Sequence, residues 1–412
     1  MPSENLSAVN GGYVIDGLPI GETAVPADAQ ETAAVLAEAH TASRAVLPVG
    51  GGTALGLGNL PERGDLVLST SRLSGIIDYE PTDLVLSVGA GARIGDVQAV
   101  LAEHGQRLPL DAPGGGDATI GGLIATARSG PLRHSAGSLR DLLIGISVAH
   151  PSGTVSRAGG MVVKNVSGYD MPRLYHGSLG TLGVITSANF KVLPRPRCEA
   201  TLLASFPSVA AAFAAWNRVR ETRQPLAAIE ISCDPETWTL AMRIEGREPT
   251  VAVVAERVSL AIGADVDAFG GPDSASWWAN YVARSWAPSS PTQVVMRCGV
   301  RPRDTEVLLQ GIVQATGLLN VSVARLSASP GLGVVTSTFD LGALGSAESL
   351  AGIQTVLAGL AETVTIHAAP PDWKKGIDVW GPMPEGFDVM RALRDQFDPG
   401  RVVNPGRFAG FL

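Results

Sequence analysis

The chain has 412 residues, which is long enough for two domains, and its 45% hydrophobic and 17% charged residues are typical of a folded globular protein. Its formal net charge of −8 argues against binding to nucleic acids or to an anionic membrane surface, both of which require basic residues. The three cysteines, Cys198, Cys233 and Cys298, are far apart in the sequence, so this chain cannot ligate an iron–sulfur cluster by itself.

Two features of the sequence bear on its location. Residues 1–25 contain acidic residues but neither lysine nor arginine, unlike the basic start of a secretory signal peptide. The sequence also lacks the run of about 18 apolar residues that a membrane-spanning helix requires. We therefore expect a cytoplasmic protein without direct membrane insertion, for which any membrane association comes through a partner.

The first predicted elements lead into a glycine-rich segment. A helix is predicted to begin near Asp28, because Asp28 and Glu31 form a pair that resembles a capping box. A short apolar strand at 45–49 runs into PVGGGTALGLG at 48–58, which we call loop 1. The next predicted elements, in chain order, are strands at 65–69 and 84–88, a helix at 93–104 and a strand at 142–150.

The later elements indicate a boundary between two parts of the chain. A strand is predicted at 184–193, and Pro194 and Pro196 follow it, which we interpret as a domain boundary. Beyond that point a helix is predicted at 208–223, and all seven tryptophans of the chain lie after residue 200. The sequence therefore predicts a glycine-rich first domain and a tryptophan-rich second domain.

Two more glycine-rich segments follow loop 1 within the first domain. They are PGGGDATIGGLIAT at 113–126, called loop 2, and residues 159–186, called loop 3. Backbone N–H groups in tight glycine turns can bind a diphosphate. Each loop alone could be an ordinary turn, but three of them together indicate one extended phosphate-bearing ligand, a dinucleotide. Neither the P-loop pattern nor the GxGxxG dinucleotide fingerprint with its acidic residue is present.

These motifs carry a family resemblance. Residues from about 25 to 194 resemble the FAD-binding domain of the vanillyl-alcohol oxidase and p-cresol methylhydroxylase (PCMH) superfamily. Within it, the chain resembles the FAD-binding subunits of bacterial glycolate oxidases. The matching segments are loop 1, ATIGG (118–122), SLRDLLIG (138–145), GGMVVKNVSGYD (159–170), GSLGTLGVIT (177–186), DVWGPMP (378–384) and FDPGRVVNPGR (397–407).

The resemblance implies an α+β fold and a domain organisation. A PCMH-type FAD-binding domain of two subdomains would span 1–194, and an α+β cap domain would span 195–385. The last segment, 386–412, would return to the FAD domain. The implied cofactor is FAD, bound non-covalently, because Thr53 stands where some members carry the histidine that attaches the flavin.

The resemblance also implies which residues bind FAD. The first loop would cradle the pyrophosphate, the second would line the other side of the cofactor, and the third would lie beside it and meet the adenine end. Asn404 and Arg407 would return from the C-terminus to this region. The implied residues are, loop by loop, Gly50, Gly51, Gly52, Thr53 and Gly56; Thr119, Gly121 and Gly122; and Gly177, Gly180, Thr181, Val184 and Ile185.

The sequence departs from the catalytic members of the superfamily. Those members resemble one another in a histidine-rich motif that can hold a metal, whereas the corresponding residues here, 325–339, contain no histidine. Leu179 replaces an acidic residue of the third-loop motif. We therefore assign no metal and no catalytic residue.

Several residues keep two interpretations. His367 is a packed core residue or serves in place of the missing histidine motif, and His176 is a packed residue or a group near FAD. Lys164 pairs with a diphosphate or with Asp170. Arg297 and Arg301 bind a carboxylate or are solvated surface residues.

Three functional hypotheses follow from the resemblance and its departures. In the first, the chain is the FAD-binding subunit of a 2-hydroxyacid dehydrogenase complex, relaying electrons or supporting the catalytic subunit. Its partners would be a homologous catalytic flavoprotein subunit and an iron–sulfur subunit, and a small hydroxyacid would be the substrate of the complex. In the second, the chain is a self-sufficient dehydrogenase of a hydroxyacid or alcohol. In the third, it is a flavin-free scaffold subunit.

Overall fold

The computed structural model describes residues 12–161, 168–234, 237–319 and 321–412. Lys164, for which an interaction with a diphosphate or with Asp170 was predicted, lies outside the described residues.

The chain divides into two compact units. Unit 1 comprises the described residues of Met1–Ser129, Gly137–Arg195 and Asp378–Leu412, and unit 2 comprises those of Gly130–Ala136 and Pro196–Ile377. The first boundary thus falls between the two prolines that mark it in the sequence. The C-terminal return begins at Asp378, eight residues before the predicted 386, and residues 130–136 belong to unit 2.

The described elements are numbered in chain order. The strands are β1 (Tyr13–Ile15), β2 (Leu18–Ile20), β3 (Thr23–Ala24), β4 (Val46–Val49), β5 (Leu66–Ser69), β6 (Ile76–Glu80), β7 (Val85–Gly89), β8 (Gln106–Arg107), β9 (Leu143–Ala149), β10 (Val155–Gly159), β11 (Val184–Lys191), β12 (Leu193–Pro194), β13 (Cys198–Phe206), β14 (Ala228–Asp234), β15 (Thr237–Gly246), β16 (Asp267–Gly270), β17 (Gln293–Gly299), β18 (Ser322–Ser329), β19 (Val334–Asp340) and β20 (Thr363–Ala368). The helices are α1 (Ala29–Thr41), α2 (Ile94–Glu103), α3 (Ile120–Thr126), α4 (Arg133–Ala136), α5 (Leu139–Leu142), α6 (Met171–Tyr175), α7 (Val209–Glu221), α8 (Glu248–Ile262), α9 (Gly271–Trp286), α10 (Thr305–Leu319), α11 (Ala347–Ala358) and α12 (Phe387–Phe397).

The start of α1 shows how local sequence sets an element. The Asp28 carboxylate accepts hydrogen bonds from the backbone N–H groups of Gln30 and Glu31, both at 2.8 Å. Glu31 in turn accepts from the N–H of Ala27 at 2.7 Å. These bonds satisfy N–H groups that the helix itself leaves unpaired, so the predicted helix start at Asp28 is confirmed.

A small parallel sheet in unit 1 leads directly into loop 1. Its strand order is β3-β5-β4, and residue 403 adds a parallel bridge to Val46 at the free edge of β4. Leu36 of α1 packs on this sheet together with Val402 and Val403, all three fully buried. Since β4 ends at Val49, loop 1 begins at the carboxyl end of a buried parallel strand, where ligands of α/β sheets commonly bind.

A second sheet of unit 1 supports the other two loops. Its described strands follow the order β10-β9-β11-β7-β6, all antiparallel, and α2 and α3 pack on it through a core that includes Val97, Leu101 and Ile124. Thr119 of loop 2 caps the start of α3, and β11 begins at Val184, within loop 3. Both loops are therefore anchored by regular elements.

Unit 2 is built on one antiparallel sheet. Its described strands follow the order β16-β13-β15-β14-β18-β19-β17-β20. Ile229 on one face lines a groove with Phe213 and Trp216 of α7, whereas Ala228 on the other face packs with Trp278 of α9. Because side chains alternate along a strand, residues such as Glu230 share the α9 face. None of the helices in the described part of the chain is long and apolar enough to cross a membrane.

Candidate cofactor site

The three glycine-rich loops and the C-terminal segment border one cleft within unit 1. The cleft has an empty volume of about 930 Å³, part of which is open to solvent. Most of the residues predicted to bind FAD line it. They are Gly50, Gly51, Gly52, Thr53, Thr119, Gly121, Gly122, Gly180, Val184, Ile185, Asn404 and Arg407.

Three predicted residues, Gly56, Gly177 and Thr181, are not among those that line the cleft. The N–H of Gly177 donates to the carbonyl of Ile124 at 2.9 Å, and its φ of +83° favours glycine. Thr181 is buried, and its hydroxyl donates to the carbonyl of Ser178 at 2.7 Å. In this structure these two residues shape loop 3.

Loops 1 and 2 pack so closely that side chains are excluded between them. A Cβ at Gly50 would lie 2.1 Å from the hydroxyl oxygen of Thr119, and one at Gly51 would lie 2.0 Å from the carbonyl oxygen of Asp117. The Thr119 hydroxyl also accepts from the N–H of Gly51 and of Gly122, at 3.4 Å each. The glycines at 50 and 51 are therefore required by loop packing, a reason that their motif alone does not reveal.

Loop 3 is tied to the C-terminal segment by Asn404. The Asn404 side-chain amide donates to the carbonyl of Leu179 at 2.6 Å, while its backbone N–H donates to Val46 of β4 at 2.9 Å. Leu179, which replaces the acidic residue of the family motif, has a φ of +51° and donates its N–H to Ala125 at 2.8 Å. Asn404 thus joins loop 3 to the strand that precedes loop 1.

Two charged side chains are among the described residues that line the cleft, and both are cationic. Arg128 donates to the carbonyl of Thr53 in loop 1 at 3.0 Å. Arg407 is buried, donates to the carbonyls of Leu55 and Leu57, and pairs with Asp16 at 2.7 Å. Burial lowers the pKa of Arg407, whereas Asp16 raises it. Sequence reasoning missed Arg128, since a single arginine after loop 2 carries no motif.

These features fit FAD. A diphosphate needs backbone N–H groups and positive charge, and the cleft offers glycine loops and arginines, with no Asp or Glu among the described residues that line it. Flavin and adenine rings need an apolar wall, which Leu47, Val49 and Leu123 supply. The described lining includes neither histidine nor cysteine, the side chains that attach a flavin covalently in some relatives of this fold.

Unit 2 contains a separate cluster of polar side chains on the α9 face of its sheet. Glu230 is 3% exposed and accepts hydrogen bonds from the hydroxyls of Tyr281, at 2.7 Å, and Ser329, at 2.5 Å. Burial, and then the charge of Glu230, raise the pKa of Tyr281 well above its ordinary value. The hydroxyl therefore stays protonated and donates to the carboxylate.

Arg297 and Arg301, considered together in the sequence, have different surroundings. The Arg297 guanidinium carbon lies 4.9 Å from the ring centroid of Trp286, whose ring also contacts that of His367. Burial lowers the pKa of Arg297 to about 10, with Arg133 adding to the effect and Glu230 opposing it. Arg301 is exposed and pairs with Asp304 at 2.8 Å, so it is a surface residue.

The other residues singled out in the sequence, His176 and 325–339, lie in regular elements or at their ends. His176 is half-buried at the end of α6 and donates its N–H to Pro172. Residues 325–339 form most of the hairpin of β18 and β19. In the described residues, no group of three or more His, Cys, Asp and Glu side chains could hold a metal ion.

Comparisons with known proteins bear on the cleft. A family described as "FAD binding domain" matches residues 22–159, which contain loops 1 and 2. The chain is 38% identical over 186 residues to "Glycolate oxidase subunit GlcE" of Escherichia coli (strain K12), covering 44% of this chain and 51% of that protein. It is 27% identical over 391 residues to "Glycolate oxidase subunit GlcD" of Bacillus subtilis (strain 168), covering 88% and 83%. The chain thus spans about half the length of the first of these relatives.

A solved structure supports the fold. Alkyldihydroxyacetonephosphate synthase matches with a TM-score of 0.68 and 17% identity, covering 93% of this chain and 75% of that one. At this identity the likeness concerns the fold alone. The predicted α+β fold with a PCMH-type FAD-binding domain is confirmed, and this chain is a flavoprotein with FAD as its cofactor, related to FAD-dependent oxidoreductases.

Proposed function

We propose that this chain is the FAD-binding subunit of a 2-hydroxyacid dehydrogenase complex of the glycolate type, in which it relays electrons or supports a homologous catalytic flavoprotein. The observation that carries the proposal is the cleft of unit 1, whose lining fits FAD, taken with two relatives that are named as subunits of glycolate oxidase. The substrate of the complex would be a small 2-hydroxyacid.

The arrangement of the second unit supports a subunit role. The hairpin at 325–339 has serines and threonines, including Ser329 and Thr336, where the catalytic members of the superfamily have histidines. An iron–sulfur subunit would accept the electrons, because the cysteines of this chain lie on separate strands and two of them are buried. Burial raises the pKa of Cys298 to about 12, so its thiol stays protonated.

The residues of unit 1 have separate tasks in this proposal. When bound, FAD accepts a hydride and can pass electrons on one at a time. The backbone of loop 1 would bind the diphosphate, and Arg128 and Arg407 would offset its charge while holding carbonyls of that loop. The Asn404 amide would keep Leu179 in place beside the cofactor.

A second candidate function, a self-sufficient dehydrogenase, is favoured by the polar cluster of unit 2. In the described residues Arg297 forms no salt bridge, and a guanidinium of this kind could bind the carboxylate of a hydroxyacid. Glu230, held by two hydroxyl donors, could accept a proton from the substrate hydroxyl. The third hypothesis, a flavin-free scaffold, does not agree with FAD as the cofactor.

One experiment separates the two candidates. The chain purified alone with FAD is mixed anaerobically with glycolate or D-lactate, and the flavin absorption is followed. For a subunit, the flavin stays oxidised until the homologous catalytic flavoprotein is added. Bleaching of the isolated wild-type chain would support the second candidate instead. In that case Arg297→Met should abolish the bleaching, and Arg301→Met, a surface change, should not.

A further inference from the structure

A buried ion pair in the C-terminal part of unit 1 has no role in the site described so far. Arg394 of α12 and Asp398, one turn later, have side chains that are 1% and 0% exposed, with Nη2 of Arg394 3.2 Å from Oδ2 of Asp398. Such a pair is weak evidence for stability, because the cost of desolvating two charges offsets their attraction. The other hydrogen bonds of the pair therefore carry more information about its role.

One set of hydrogen bonds from the pair fixes residues 402–403 beside β4. The two Asp398 carboxylate oxygens accept from the N–H groups of Val402, at 3.1 Å, and Val403, at 2.8 Å. Arg394 Nη2 donates to the Val403 carbonyl at 2.7 Å. Val46 of β4 donates its N–H to Val402 at 2.7 Å. The pair thus positions a segment that runs alongside the strand leading into loop 1.

The other side of the pair reaches loop 3. Arg394 Nη1 donates to the carbonyl of Thr181. The next carbonyl, that of Leu182, lies 3.2 Å from Nδ1 of His150. Neither Arg394 nor His150 is among the residues that line the cleft. Two successive carbonyls of loop 3 are therefore held by side chains that do not border the cofactor site.

The direction of these carbonyls matters for an anionic ligand. A carbonyl oxygen carries partial negative charge and would repel a diphosphate, whereas backbone N–H groups attract it. Gly180 and Val184, which flank the held carbonyls, both line the cleft. Holding the Thr181 carbonyl with a cation keeps that oxygen engaged and fixes the backbone on either side of it.

We propose that Arg394, held in place by Asp398, is a positioning residue for FAD. It sets the geometry of loop 3 and of the segment beside loop 1 at the same time, so that both loops present their backbone to one cofactor. This proposal depends on FAD as the cofactor and not on the reaction proposed above. Its test therefore measures FAD binding rather than turnover.

The test compares two matched arginine-to-lysine changes. Arg394→Lys keeps a positive charge beside Asp398 but removes the guanidinium fork that reaches two carbonyls at once. Arg243→Lys in unit 2 is the control, because Arg243 pairs with Glu199 at 2.6 Å and Glu245 at 3.2 Å with its side chain 10% exposed. We expect Arg394→Lys to weaken FAD binding about tenfold or more, because loop 3 is then held less firmly in the geometry that receives the cofactor, and Arg243→Lys to leave it unchanged.

Three measurements distinguish positioning from general stability. They are FAD affinity by reconstitution of the apoprotein, the melting temperature of the apoprotein, and the visible circular dichroism of the bound flavin. The proposal expects weaker affinity and an altered flavin signal in Arg394→Lys and in Asp398→Asn. Arg394→Lys keeps both charges of the pair and should show a near-normal apoprotein melting temperature, whereas Asp398→Asn should lower it, because a buried cation loses its carboxylate. It is overturned if both variants bind FAD as the wild type does. It is also overturned if the loss of FAD affinity is fully explained by the fraction of apoprotein that has unfolded, or if neither variant folds.

Discussion

The two units of this protein build their polar sites from different groups: unit 1 uses mainly backbone, and unit 2 uses side chains. In unit 1 the cleft is lined largely by backbone, and the side chains contribute mainly by holding carbonyls of the loops, as Arg407 does for Leu57. In unit 2, Glu230 and Tyr281 are hydrogen-bonded side chains of a strand and a helix, and Arg297 lies on another strand of the same sheet. A backbone site requires glycines in fixed order and so leaves a dense sequence motif, whereas a side-chain cluster leaves isolated residues.

The first prediction, with the largest effect, tests how firmly side chains hold the backbone site. Arg407→Met should lower the unfolding free energy of unit 1 by about 3–5 kcal/mol, because the buried Asp16 carboxylate would lose its ion pair with Arg407. Urea unfolding, monitored through the release of FAD, measures the effect. Arg44→Met is the control, since Arg44 and Glu22 form an exposed pair expected to contribute less than about 1 kcal/mol. Equal losses of unfolding free energy in the two variants would contradict the view that buried side chains hold the backbone site of unit 1.

The second prediction tests the packing of loops 1 and 2. Gly51→Ala places a methyl group 2.0 Å from the Asp117 carbonyl, so the loops must separate. We expect a cost of about 1–3 kcal/mol and FAD binding weakened by about tenfold to a hundredfold. Gly21→Ala is the matched change, because nothing lies within 4 Å of a Cβ at Gly21. If Gly51→Ala reconstitutes with FAD as well as Gly21→Ala, loop packing does not control the site.

The third prediction concerns the side-chain site of unit 2. If Arg297 binds carboxylates, oxalate should bind the FAD-loaded protein about tenfold more weakly after Arg297→Met, since one charge-assisted contact is lost. Arg301→Met, at an exposed residue already paired with Asp304, should leave oxalate affinity unchanged. Isothermal titration calorimetry measures both. If the two variants and the wild type bind oxalate with the same affinity, Arg297 does not bind carboxylates and only packs on Trp286.

The fourth and smallest effect is a pH dependence of unit 1. His150 is 5% exposed, and burial lowers its pKa below the ordinary 6.5, although its bond to Leu182 opposes this. The unfolded chain therefore binds a proton near pH 6.5 that the folded chain does not, so stability falls as pH drops below about 6.5, by at most about 1.4 kcal/mol per pH unit. Chemical unfolding at several pH values should show this slope reduced in His150→Gln.

Much of the fold could be predicted because its signals are local. The caps at Asp28 and the apolar run before Gly50 set α1 and β4 within one or two residues, and the proline pair lies at the boundary of unit 2. The order of the glycine loops indicated a dinucleotide, and most of the residues they supplied line one cleft. Residues 130–136 belong to unit 2, which the sequence does not predict, since nothing in their composition distinguishes them.

The rest could not be predicted, because it depends on contacts between residues far apart in the sequence. Arg394 meets the Thr181 carbonyl, and Arg407 meets Asp16, across most of the chain. An isolated arginine on an amphipathic helix is normally a surface residue, so the pattern around Arg394 favours exposure and not the burial observed. The reason for glycine at 50 and 51 is likewise visible only once Asp117 and Thr119 are placed beside them.

The return of the C-terminal segment to unit 1 sets an order for folding during synthesis. The free edge of β4 near Val46 is completed only by residues 402–404, which are synthesised long after β4. Most of unit 2 lies within Pro196–Ile377 and can complete its sheet while translation continues, since domains generally fold as units as they emerge. Unit 1, although β4 is synthesised early, can close only after residues 402–404 have emerged, so a product of stalled translation that lacks them would leave the glycine loops without the Asn404 anchor.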